Sequence, residues 1–119
     1  MATSALLALI EQSGTSVATL AEGLDEADLR RSRLTRAELL RLLRVLAASA
    51  SVVPPSVRDD MPELDWGGWR AVSLRLKADH GEEVDESLWF AVSSLVPATL
   101  LWLRVYRQNL PEHFSMTPD

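Results

Sequence analysis

The chain has 119 residues, of which 47% are apolar, and this suits one domain built around a single core. It has no cysteine, so disulfides, thiolate catalysis and cysteine-based zinc sites are excluded. A formal charge of -5 excludes general attraction of the whole molecule to nucleic acid, although charge is unevenly spread. Six arginines fall between Arg30 and Arg44, and five acids between Asp79 and Glu86, so a local basic face could still meet phosphates.

No stretch shows sustained apolar and polar alternation, and no strand is expected. Leu6, Ile10, Ser13, Val17, Leu20 and Leu24 step by three or four and form one stripe on a first helix. Gly14 lies inside that helix and should weaken it by about 1 kcal/mol. The segment "EGLDEADLRRS" reads as a loop with a short helical turn. Thr35 and Glu38 form a capping box, which predicts a second long helix with Leu39, Leu42, Leu43, Leu46, Ala50 and Val53 on its apolar side. Pro54 and Pro55 should stop it, and "SVRDDMPEL" reads as a connector.

Asp65 is placed to cap a third helix, "WGGWRAVSLRLKAD", which Gly81 would close in a left-handed conformation. A fourth helix should start at Asp85 and run to about Asn109, kinked at Pro97. Residues 1–110 thus form one all-α domain, an up-and-down four-helix bundle with an extra short helix. Residues 111–119 are read as a disordered tail. The uncharged run Ser87–Leu103 falls just short of a membrane span and carries three serines and a proline, so it is read as a core helix. With no basic leader in view, a soluble cytoplasmic protein is expected.

Two histidines, His80 and His113, carry what acid–base chemistry the chain can offer near neutral pH. Arg75 and His80 are five residues apart, about 140° around a regular helix, so they share a face only if the helix frays. Were it to fray, His80 could serve as a general base and Arg75 as a phosphate or transition-state ligand. Together they could cleave RNA without metal. The plainer reading is an imidazolium capping carbonyls at a helix end. His80 with Glu82, Glu83 and His113 matches no ligand spacing, and neither metal nor cofactor is expected. The Arg30–Arg44 run reads as a solvated face or as an RNA or partner surface, with Arg41, Arg44, Arg70 and Lys77 as candidate contacts. Trp66, Trp69, Trp89 and Trp102 read as core or interface anchors rather than base-stacking platforms.

The order of these features resembles the HepT-type branch of the HEPN superfamily. The steps are Gly23-Leu24-Asp25, Thr35-Arg36-Ala37, Val53-Pro54, Arg58, Pro62-Glu63, Trp66, Arg75 with His80, Val84-Asp85, Leu88-Trp89 and Val96-Pro97. They cover roughly residues 20 to 100 and keep the family's spacing, apart from about one residue after His80. The resemblance implies a HEPN-like four-helix bundle that forms homodimers, with the two Arg-x4-His motifs facing one interface cleft. It also implies a metal-independent endoribonuclease toxin whose partner is a nucleotidyltransferase antitoxin of the MNT type. His80 would be the base, and Arg75 the phosphate-binding or charge-stabilising group.

Three positions depart from the family pattern. Leu76 stands where a polar residue is common, Glu82 replaces a tyrosine that the antitoxin can modify, and Ala48 replaces a glutamate. A carboxylate beside an incoming phosphate costs about 1 kcal/mol even at high dielectric. The second reading is therefore a catalytically degenerate member that acts as a binding or regulatory subunit.

Overall fold

A computed structural model describes residues 2–115 of the chain. Helices dominate it, and no strand occurs among the described residues. In chain order they are α1 (Thr3–Ala21), α2 (Glu26–Arg31), α3 (Arg33–Ser51), α4 (Pro55–Asp60), α5 (Trp66–Arg75), α6 (Glu82–Phe90), a π-helical segment (Ala91–Leu95), α7 (Val96–Asn109) and a 3-10 turn (Pro111–His113). Helix α1 packs along α3 and against α7, while α3 also receives α5.

The apolar stripes explain these contacts. Leu7, Ile10 and Val17 of α1 meet Leu39, Leu43 and Leu46 of α3 in one buried cluster. Trp69, Leu76, Leu88 and Leu103 join it from the second half of the chain. Gly14 is buried where α1 passes α7. A methyl there would stand 3.0 Å from Leu100 Cδ2, so the residue that weakens the isolated helix allows its close approach to a neighbour. The stripe ends at Val17: Leu20 is 36% exposed, and Leu24 lies beyond the helix.

Several helix boundaries differ from the sequence-based expectation, each for a local reason. Ser32, not Thr35, caps α3, with its hydroxyl accepting from Thr35 N at 3.3 Å. Glu38 closes no box on Thr35, whose N–H is already given to Ser32, and it pairs with Arg41 instead. The connector contains α4, since Pro55 sits at a first-turn position where a missing N–H removes no bond. Asp65 does cap α5, accepting from Gly68 N at 2.7 Å.

Helix α5 ends at Arg75, and Gly81 is the N-cap of α6 rather than the C-cap of α5. Its φ of 123° and ψ of 159° lie in a region open essentially to glycine alone. Helix α6 accordingly starts at Glu82, not Asp85. Pro97 falls just after the π segment, where Val96 N reaches back five residues to Ala91 O. The wider turn accommodates the proline. Thr99 Oγ1 then donates to Leu95 O at 2.7 Å and accepts from Trp69 Nε1 at 3.0 Å.

Residues 111–115 of the expected tail begin with the 3-10 turn. Phe114 packs against the core under the Arg107 guanidinium, 4.8 Å from the ring centre. His113 Nε2 pairs with Asp60 Oδ2 at 3.0 Å. Residues 116–119 lie outside the described residues.

Of the tryptophans, Trp69 is fully buried, and Trp66, Trp89 and Trp102 pack half-buried against the core. Helices α6 and α7 with the π segment form one stretch, Glu82–Asn109, long and apolar enough to cross a membrane by length and composition alone. Within the fold, Val84, Leu88, Ala91, Val92, Leu95, Val96, Leu103 and Tyr106 of that stretch are core.

Candidate functional site

The Arg75–His80 segment is built by the end of α5 and the start of α6. Leu76 is the C-cap of α5, and its N–H donates to Val72 O at 2.9 Å. Its side chain is 1% exposed. That burial anchors the turn and explains why an apolar residue stands directly after Arg75. The chain then runs through bends from Lys77 to Gly81, where α6 begins.

Two arginines of α3 hold this turn from outside. Arg44 Nε donates to Leu76 O at 2.8 Å, and Arg44 Nη2 donates to Ala78 O at 3.2 Å and to Asp79 Oδ1 at 2.8 Å. A little over two turns earlier on α3, Arg36 donates to Asp79 O at 3.0 Å. Its Nε and Nη2 also reach Asp85 Oδ1, at 2.9 and 2.7 Å. The arginine run and the acidic run therefore meet in pairs, Arg36 with Asp85 and Arg44 with Asp79. The carbonyls between α5 and α6 are capped by these guanidinium groups, not by an imidazolium. His80 makes no hydrogen bond among the described residues.

The Arg44 guanidinium, by hydrogen bond and then by charge, holds the Asp79 carboxyl below its ordinary value of 3.8. The folded pKa is depressed, so this contribution is present above the unfolded value and lost as pH falls through the folded one. The 76–80 turn should therefore loosen at a pH below about 4 while the core persists. Amide resonances of Ala78 and Asp79 should move toward random-coil positions there before those of Leu39 and Leu43. An Asp79→Asn variant should lose that early step, and an unchanged acid titration would refute the role of the pair.

The other candidate contacts are placed as follows. Arg41 is exposed and paired with Glu38. Arg70 and Lys77 are exposed, as is Arg75. Ala48, on α3, is exposed as well, and so are Glu82 and Glu83 in the first turn of α6, where carboxylates complement the helix dipole.

His80 is exposed and lines a cavity of about 490 Å³ with Arg33, Arg36, Ala37, Gly81 and Asp85. That volume lies in the range of small-ligand sites. Arg75 is not among its lining residues. Fraying of α5 past Arg75 has turned the histidine toward the start of α3. Sequence spacing alone missed Arg33 and Arg36 as neighbours of His80. The visible signal was the pair of opposite-charge runs, which an antiparallel contact between α3 and the 79–85 segment brings together. A larger groove of about 610 Å³ lies between α1 and α7. It holds no histidine, and its Arg107 is tied to Glu11 at 2.7 Å. Among the described residues no three His, Asp or Glu side chains gather as metal ligands would.

No protein-family model, curated protein or solved structure matches this chain.

Proposed function

We propose that the protein is a metal-independent endoribonuclease toxin of the HepT-like HEPN type, a four-helix bundle acting as a homodimer and neutralised by a nucleotidyltransferase antitoxin. The observation that carries this reading is His80 itself. Its imidazole is exposed, free of hydrogen bonds among the described residues, and set in a cavity beside guanidinium groups. A free ring is available to a substrate, whereas a structural histidine is normally tied to a carboxylate, as His113 is to Asp60.

In the proposed reaction His80 takes the proton of a ribose 2′-hydroxyl. The 2′-oxygen attacks the adjacent phosphorus, and the bond to the 5′-oxygen breaks. That oxygen leaves with a proton drawn from solvent, giving a 2′,3′-cyclic phosphate and a 5′-hydroxyl end. Arginine N–H groups offset the charge that gathers on the phosphorane oxygens. The test is incubation of the purified protein with single-stranded RNA in excess EDTA. Cleavage with cyclic-phosphate ends is expected, together with growth arrest when the chain is expressed alone.

Homodimerisation is supported by the outer face of the α6–α7 stretch. Phe90, Ser93, Ser94, Pro97, Ala98 and Leu101 are all exposed there, and none is charged. Phe90 and Leu101 are 47% and 55% exposed. A strip of this kind on a small domain is a candidate for a two-fold contact. Leu101→Glu should convert a dimer to a monomer in sedimentation velocity at micromolar protein without changing the helical circular dichroism. A wild-type protein that is already monomeric under those conditions would remove the dimer from the proposal.

The second reading, a degenerate member that binds rather than cuts, is favoured by Glu82 and Glu83. These exposed carboxylates flank the segment that RNA would approach. Absence of cleavage and of growth arrest by the wild-type protein would decide for it.

A further inference from the structure

Of the six arginines between Arg30 and Arg44, five are committed. Arg30 pairs with Glu26, Arg31 with Asp28, Arg36 with Asp85, Arg41 with Glu38 and Arg44 with Asp79. Arg33 has no ion pair or hydrogen bond among the described residues, is exposed, and lines the His80 cavity. It is the first residue of α3, directly after Ser32, which caps that helix. Its position is therefore fixed by the helix start, while its guanidinium stays free.

The second cation in the wall is held in place. Arg36 is only 17% exposed, and its bonds to Asp85 and to Asp79 O use Nε and Nη2. Its Nη1 group makes none of these bonds. Asp85 is the only carboxylate in the lining, and Arg36 neutralises it. Glu82, Glu83 and Glu86 follow on α6 but do not line the cavity. Gly81, which does line it, is the N-cap of α6 and provides no side chain to cap the first N–H groups. The lining is thus one free guanidinium, one fixed guanidinium paired with the Asp85 carboxylate, an imidazole, the Ala37 methyl and the Gly81 backbone. A planar fork of N–H donors suits phosphate oxygens.

We propose that the cavity between the start of α3 and the 80–85 segment is a phosphate-binding site, with Arg33 as its main anionic-ligand contact and Arg36 as its fixed floor. The ligand is a phosphate group, supplied by a nucleic-acid backbone or by free phosphate. The proposal does not need the nuclease reading. Where that reading holds, it assigns the phosphate grip at His80 to Arg33 rather than to Arg75 of the same chain.

The experiment follows the ring protons of both histidines by NMR in the full chain. Inorganic phosphate is titrated in one arm and a non-cleavable 2′-deoxy dinucleotide in the other. His80 should shift saturably, while His113, tied to Asp60, should not. Tighter binding of the dinucleotide would identify the backbone as the source, and tighter binding of inorganic phosphate would identify the free ion. Either result supports the site. Arg33→Gln should weaken binding about tenfold, the loss of one charge-assisted contact. Ala37→Glu, which sets a carboxylate in the lining, should weaken it at least as much. Arg75→Gln should change it less than about twofold.

No saturable shift of His80, or a loss with Arg75→Gln in place of Arg33→Gln, would overturn the proposal. The ribonuclease assay is read separately. Phosphate binding that depends on Arg33 without RNA cleavage would sink the nuclease reading alone. Cleavage with phosphate binding indifferent to Arg33 would sink this site alone.

Discussion

Trp69→Ala is expected to destabilise the domain by about 3–5 kcal/mol, the usual cost of emptying a buried aromatic position. Trp69 is 2% exposed and ranks among the largest fully buried side chains. Its ring lies in the common core, so its loss leaves a cavity reached by both halves of the chain. Its Nε1–H donates to Thr99 Oγ1, which in turn donates to Leu95 O at the end of the π segment. One side chain therefore joins α5 to the place where the long C-terminal helix changes its winding.

Total stability of a domain this size is about 5–15 kcal/mol. The substitution should lower the melting temperature by roughly 10–20 °C. Two controls separate bulk from bonding. Thr99→Val removes both hydrogen bonds of Oγ1 and leaves the buried Trp69 Nε1–H without its acceptor, which should cost about 1–3 kcal/mol. Trp69→Phe keeps most of the apolar volume and should fall between the two. A Trp69→Ala protein melting within a few degrees of the wild type would show that the core closes without it.

What the sequence made legible follows from how local each cause is. The α3 apolar side is a short-range pattern, and Leu39, Leu42, Leu43, Leu46, Ala50 and Val53 are all buried. Asp65 as a cap is equally local. Boundaries failed where two local signals competed. Ser32 and Thr35 are both cap-type residues near the start of α3, and the deciding fact is that Ser32 Oγ takes the N–H of Thr35, which lies inside the first turn. Gly81 fits the end of one helix or the start of another, and burial of Leu76 ends α5 before the glycine is reached.

The candidate site was half legible. His80 stood out as one of two histidines, but the helix before it was expected to run on to Asp79 and instead ends at Arg75. The surroundings of His80 were not legible, because Arg36 lies 49 residues from its partner Asp85. Pairings of that range come from the packing of α3 against the later helices. No spacing rule inside "RLKADH" contains them.

On the proposed nuclease reading, His80→Ala is expected to lower the rate of RNA cleavage by 10²–10⁴-fold, the range for loss of a positioned general base. The substitution is informative because His80 is exposed and makes no hydrogen bond among the described residues. Surface changes of that kind usually alter stability by less than about 0.5 kcal/mol. The melting temperature and the mass in solution should match the wild type, so lost activity reports on chemistry.

The same cannot be said of Arg44, whose removal frees Leu76 O, Ala78 O and the Asp79 carboxylate at once. An Arg44→Ala protein would lose activity by displacing the turn, and its defect would mimic that of a catalytic residue. The comparison that decides the matter is therefore His80→Ala against His80→Gln. Glutamine keeps a polar side chain in the cavity but cannot take a proton, so a base demands that both variants fail alike. Recovery of cleavage by His80→Gln would make His80 a hydrogen-bonding residue and leave the proton transfer to water.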